Sequence, residues 1–145
     1  MARGALLWVI FPVTCLAAAA DEPKADQEAI QGKWVIVSFT VNGQPMAEDT
    51  YKDLRLEIKG DKYLITQGGE TASRTFKLDP TRKPKAMDVT YDDGPNKGKT
   101  NHAIYALEGD ILTICRHQQP AMERPKEFTA EAGSGRALIM WKRVK

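Results

Sequence analysis

Leu54, Leu56 and Ile58 alternate with Arg55, Glu57 and Lys59. A two-residue period puts apolar side chains on one face of an extended strand and charges on the other. A helix, with its longer period, would scatter the same residues around its circumference. Gly60-Asp61 then turns the chain back into Lys62-Tyr63-Leu64-Ile65-Thr66-Gln67, which predicts a hairpin.

The same unit recurs along the chain. The run Gly32-Lys33-Trp34-Val35-Ile36-Val37-Ser38-Phe39-Thr40-Val41 is rich in β-branched and aromatic residues and stops at Asn42-Gly43, a strong turn signal. Residues 72–78 read as a strand ended by Asp79-Pro80-Thr81, since proline cannot donate to a ladder. Residues 86–91 precede a polar turn at 92–99. Residues 101–107 and 111–117 flank Glu108-Gly109-Asp110. Residues 125–130 read as an edge strand, and Gly133-Ser134-Gly135 leads into a last strand over 136–144. Residues 44–53 lack alternation and read as a loop or one helical turn, a candidate flap over one end of the fold. Residues 26–31 read as one or two helical turns stopped by Gly32.

Eight or nine short strands thus stand without an amphipathic helix long enough to cover a sheet. Such a meander buries its faces best by closing, which also removes its edges. The expected fold is all-β, an up-and-down antiparallel barrel of about eight strands with a short N-terminal helical turn. An eight-stranded closure has room for packed side chains or for one small ligand.

The barrel is assigned to residues 21–145, because residues 1–20 have a different character. A basic start containing Arg3 precedes an apolar run from Ala5 to Leu16. Small residues follow from Ala17 to Ala20, before Asp21-Glu22-Pro23 turns the chain polar. This is the layout of a secretory signal, with cleavage expected after Ala20 and a periplasmic or extracellular destination. The apolar stretch falls short of the roughly 20 residues of a spanning helix, so no membrane span is expected in the mature chain. Cys15 leaves open a lipid-anchored alternative, although Pro12-Val13-Thr14 fits that signal poorly. If Cys15 departs with the leader, Cys115 remains alone and no internal disulfide can form. Removing the leader takes one of 21 basic residues and none of the 19 acidic ones, so the formal charge falls from +2 to +1. A balanced surface argues against nucleic acid as the partner.

Gly32-Lys33-Trp34, opening the first strand after a short helical turn, resembles lipocalins and their calycin relatives. The resemblance implies that Trp34 closes one barrel end under a basic residue of the last strand, Arg143 or Lys142. The chain is most similar to a family of exported lipocalin-like domains from planctomycete-type bacteria. The shared features include Gly60-Asp61-Lys62-Tyr63, Phe76-Lys77-Leu78-Asp79-Pro80-Thr81, Gly94-Pro95, Ile104-Tyr105, Gly109-Asp110, Arg124-Pro125 with Phe128, and Gly133-Ser134-Gly135-Arg136. It implies a fold and an exported location, and no catalytic residues. One departure is that the first strand is apolar on both faces. If Trp34, Ile36, Ser38 and Thr40 point inward, then Val35, Val37, Phe39 and Val41 need cover from the N-terminal turn or a partner chain. A bulge that switches the strand's facing is the other solution.

Motifs for chemistry are weak. Gly94-Pro95-Asn96-Lys97-Gly98-Lys99-Thr100 has three residues between its glycines where a phosphate loop has four, and a strand follows where that loop needs a helix. Ser134 sits in a flexible turn, and no strained Gly-x-Ser-x-Gly elbow exists. The carboxylates fall mostly at turns. His102 and His117, with Cys115, raise a metal-dependent hydrolase as a remote alternative. The expectation is a non-enzymatic protein with no catalytic residue, metal or cofactor. Tyr63, Tyr91, Tyr105 and Arg116 share strand parity with apolar neighbours, and these four are the candidate ligand-binding residues. The leading function is binding of a small apolar or amphipathic molecule in the barrel. The alternative is a solid barrel that binds protein or the cell envelope through a loop or the first strand.

Overall fold

The computed structural model describes residues 24–145. The expected leader, its cleavage point and Cys15 lie outside the described residues. A short helix, α1, covers 24–29. Nine strands follow: β1 (Gly32–Val41), β2 (Gln44–Pro45), β3 (Arg55–Lys59), β4 (Lys62–Gln67), β5 (Glu70–Asp79), β6 (Ala86–Tyr91), β7 (Thr100–Glu108), β8 (Ile111–His117) and β9 (Arg136–Arg143). Helix α2 (Glu48–Tyr51) lies between β2 and β3.

From β3 to β9 each strand pairs antiparallel with the next, and β1 pairs with both β3 and β9. The result is a closed eight-stranded up-and-down barrel, with β2 as a two-residue extension folded back on β1. Asn42 (φ 50°) and Gly43 (φ 82°) both adopt left-handed backbone, as the tight turn between β1 and β2 requires. A Cβ at Gly43 would stand 2.7 Å from the Ala132 backbone nitrogen, so the position excludes every side chain.

The inward face follows the two-residue period. Trp34, Leu56, Ile58, Tyr63, Phe76, Met87, Val89, Tyr105, Leu112, Ile114, Ile139 and Trp141 form one buried core. Alternation holds within each strand except β1. There the register with β9 shifts between Ile36, opposite Trp141, and Ser38, opposite Met140. Val37 is the extra residue and is 47% exposed. Before it Trp34 and Ile36 pack into the core, and after it Phe39 and Val41 do. A strict period would have sent the second pair outside. Of the two arrangements the sequence left open, β1 takes the bulge: Ser38 and Thr40 have outward parity, and apolar residues at both parities are accounted for.

A second correction concerns residues 125–130, which form no strand. The long β8–β9 connection instead lies against the outer wall. Pro125 is buried, and Cys115 donates to the Thr129 carbonyl at 3.3 Å. Arg124 donates to the carbonyls of Ala103 (2.6 Å) and Met87 (3.3 Å) and to Asp88 Oδ1 (2.6 Å). Segment and wall together bury Ile104 and Cys115, whose parity is outward. Cover from a loop explains apolar residues there without any further strand.

Candidate functional site

The two barrel ends are built differently. At one end α1 lies across the β3–β4 turn and beside Lys85 and Tyr105. Gln27 and Gln31 donate to the Gly60 carbonyl, and Gly60 N–H donates back to Gln31 Oε1 at 2.7 Å. Trp34 is fully buried beneath this helix and donates from Nε1 to the Ile30 carbonyl at 3.1 Å. The Arg143 guanidinium lies 4.3 Å from the Trp34 ring centre and donates to the carbonyls of Gln31 (2.6 Å) and Ala29 (2.5 Å). Of the two basic candidates, Arg143 makes the stack. Lys142, one residue earlier, has the outward parity. This end is closed.

Tyr105, expected to line a pocket, belongs to the closed end. Its hydroxyl donates to Asp26 Oδ2 at 2.6 Å, and Lys85 Nζ meets the same oxygen at 3.0 Å. It is 1% exposed. The other three candidates come together: Tyr91 and Arg116 lie on the halves of β6 and β8 towards the opposite end, and Tyr63 reaches them from near the β3–β4 turn. Tyr63 on β4 faces Arg74 on β5, and Arg74 faces Tyr91 on β6, a single row across three strands. Arg116 joins them from β8, close enough that Tyr63, Tyr91 and Arg74 all bear on its charge. Arg74 was not singled out from the sequence. The signal was present, since Arg74 shares parity with Phe76 and Leu78.

The local chemistry of this cluster is unusual for a barrel interior. The Arg74 guanidinium stacks 4.2 Å from the Tyr91 ring centre. Its Nε is buried and has no hydrogen-bond partner among the described residues. Arg116 donates from Nη1 to the His117 carbonyl at 3.0 Å, and buried Asn101 donates to that same oxygen at 3.1 Å. Burial weighs against the Arg116 charge; Tyr63 and Tyr91 counter this, and Arg74 adds to it. Burial likewise pushes the Tyr63 phenol above its ordinary range, against the pull of Arg116 and Arg74. Among the described residues no carboxylate is among the groups that bear on Arg116 or on Tyr63. Phe39, Val41, Leu54 and Ile65, partly buried, supply apolar wall towards the same end. Helix α2 borders it through Tyr51, whose ring meets Phe39 edge-on at 6.1 Å. The expected flap over 44–53 is this segment.

The histidines lie apart from the interior. His102 has outward parity and pairs through Nδ1 with Asp88 Oδ1 at 3.0 Å, alongside Arg124. Among the described residues no group of three or more His, Cys, Asp or Glu is placed to hold a metal ion. Among the described residues His102 and His117 belong to no such set. Two clefts on the outer wall share Arg82 and Arg124, one with Asp79 and Asp88, the other with Lys83, Pro84 and Ile104. Arg124 is already spent there as a strut. Among the described residues no helix is long and apolar enough to cross a membrane.

Comparison with protein-family models, with curated proteins and with solved structures returned no match to this chain.

Proposed function

We propose that this is an exported, non-enzymatic, lipocalin-like protein that binds a small apolar or amphipathic molecule at the open end of its barrel. One observation carries the reading. Tyr63, Arg74, Tyr91 and Arg116 gather on the inner wall, among apolar residues, with few protein partners for their polar tips. An apolar cup with a few convergent polar groups is the usual make-up of a small-molecule site. Placement in the exported lipocalin-like family of planctomycete-type bacteria, and passage out of the cytoplasm behind a leader ending near Ala20, belong to the same proposal. They rest on the Gly32-Lys33-Trp34 opening and the basic–apolar–small order of residues 1–20.

A polarity-sensitive dye bound by the purified protein, then challenged with fatty acids, retinoids and haem, tests the binding. Displacement by one class at micromolar concentration is expected. No dye uptake, together with a crystal structure whose interior is filled by side chains, overturns the reading. The solid-barrel alternative drew its motive from the apolar character of β1, and the Val37 bulge gives that character an internal reason.

A further inference from the structure

We propose that the interior cluster is a headgroup site for an amphipathic carboxylate, whose charge is held between Arg74 and Arg116 and whose apolar body lies along Phe39, Val41, Leu54 and Ile65. This deepens the binding reading and rests on it.

The argument starts from charge balance. Elsewhere in the barrel, cations of comparable burial are neutralised or bonded by the protein. Arg124 meets Asp88, and Arg143 meets Asp110 as well as two carbonyls. Lys85 meets Asp26. Among the described residues neither Arg74 nor Arg116 has a carboxylate partner; Arg116 bonds only the His117 carbonyl, and Arg74 stacks on Tyr91. Two half-buried guanidinium groups stand together on the inner wall beside two phenols and one backbone carbonyl, and the Arg74 Nε is buried with no acceptor among the described residues. An isolated buried charge is costly unless paired, so the arrangement favours entry of an anion.

Geometry favours a carboxylate in particular. Guanidinium presents planar paired donors that match two carboxylate oxygens. Arg74 is held by the Tyr91 ring, and Arg116 by the His117 carbonyl that Asn101 also engages, so both donors are oriented before any ligand arrives. Burial keeps the Tyr63 phenol protonated, and among the described residues its O–H has no hydrogen-bond partner, so it can donate to the same headgroup. Apolar wall towards the mouth excludes simple inorganic ions as the best fit, because it rewards a ligand with a tail.

Isothermal titration with laurate, dodecanol and dodecyltrimethylammonium, each below its micelle concentration, tests this on the purified protein. Laurate is expected to bind about ten- to a hundredfold tighter than dodecanol, the worth of one or two charge-assisted hydrogen bonds. The ammonium is expected to bind weakest. Arg74→Met should bring laurate down towards dodecanol while leaving dodecanol unchanged, and Arg74→Lys should recover part of the difference. Arg116→Met should act similarly if it folds; the Arg74 pair decides the matter if it does not. Equal affinity for laurate and dodecanol, or a preference for the ammonium, overturns the carboxylate site but leaves the binding reading intact. No binding of any of the three overturns both.

Discussion

Two indoles show how much one hydrogen bond decides at the scale of a residue. Trp34 and Trp141 are both buried in the same core, yet Trp34 Nε1 donates to Ile30 and Trp141 Nε1 has no partner among the described residues. Trp34→Phe should therefore cost about 1 kcal/mol more than Trp141→Phe in urea unfolding, because only the first strands a carbonyl. Equal losses would show that ring volume alone matters. Arg143→Met removes a cation–π contact and two charge-assisted bonds, a loss of about 2–4 kcal/mol. Hydrogen exchange over residues 24–31 should speed up with it. A stack of Trp34 under Arg143 or Lys142 was implied by the resemblance of the Gly-x-Trp opening to lipocalins, and the parity of β9 selects Arg143. The division of the four ligand-site candidates was not legible in the sequence. Parity says that Tyr63, Tyr91, Tyr105 and Arg116 face inward, but not how far along the barrel axis each sits. That depends on the stagger of β4, β6, β7 and β8, which no single strand encodes.

Elements carry their own signals, and β1 is the clearest case. Its apolar residues at both parities are contradictory for a regular strand and consistent for one with an extra residue at Val37. Deleting Val37 should leave a regular strand with Ile36, Phe39 and Val41 still facing inward, so the protein should keep its fold, whereas one residue inserted between Ser38 and Phe39 should send Phe39 and Val41 outward and cost several kcal/mol. Val37→Thr, at an exposed position, should stay within about 0.5 kcal/mol of the parent in the same assay. The 118–135 connection misled for a related reason. Arg124-Pro125 with Phe128 and Ala130 looks like an edge strand, yet what holds that segment is side-chain bonding from Arg124 to two wall carbonyls. Arg124→Met should loosen it and cost about 2–3 kcal/mol. Cys115, fully buried with burial pushing its thiol up, should then react with a thiol reagent that leaves the parent protein untouched.

For the molecule as a whole, acidity is the simplest probe of how its outer wall is tied together. Asp88, Asp92 and Asp110 all sit below the ordinary aspartate range. In Asp88, burial is outweighed by bonds from His102 and Arg124; Asp92 is held chiefly by Thr75, and Asp110 by Lys145. A lowered folded pKa contributes stability that is present above the unfolded value of about 3.9 and is lost as the pH falls through the folded one. These groups should thus leave the urea midpoint flat from pH 7 to 5 and pull it down below about pH 4. Asp88→Asn should make the acid limb shallower, and an unchanged limb would contradict the assignment. The seam between β1 and β9 has a last implication, for synthesis. Arg143 reaches back 112 positions to Gln31. A nascent chain that has not yet released Arg143 from the ribosome has two raw edges and no lock on its first helix. Such a chain is pliant and sticky until Arg143 emerges, so its handling up to that point falls to whatever holdase meets it, not to its own hydrogen bonds.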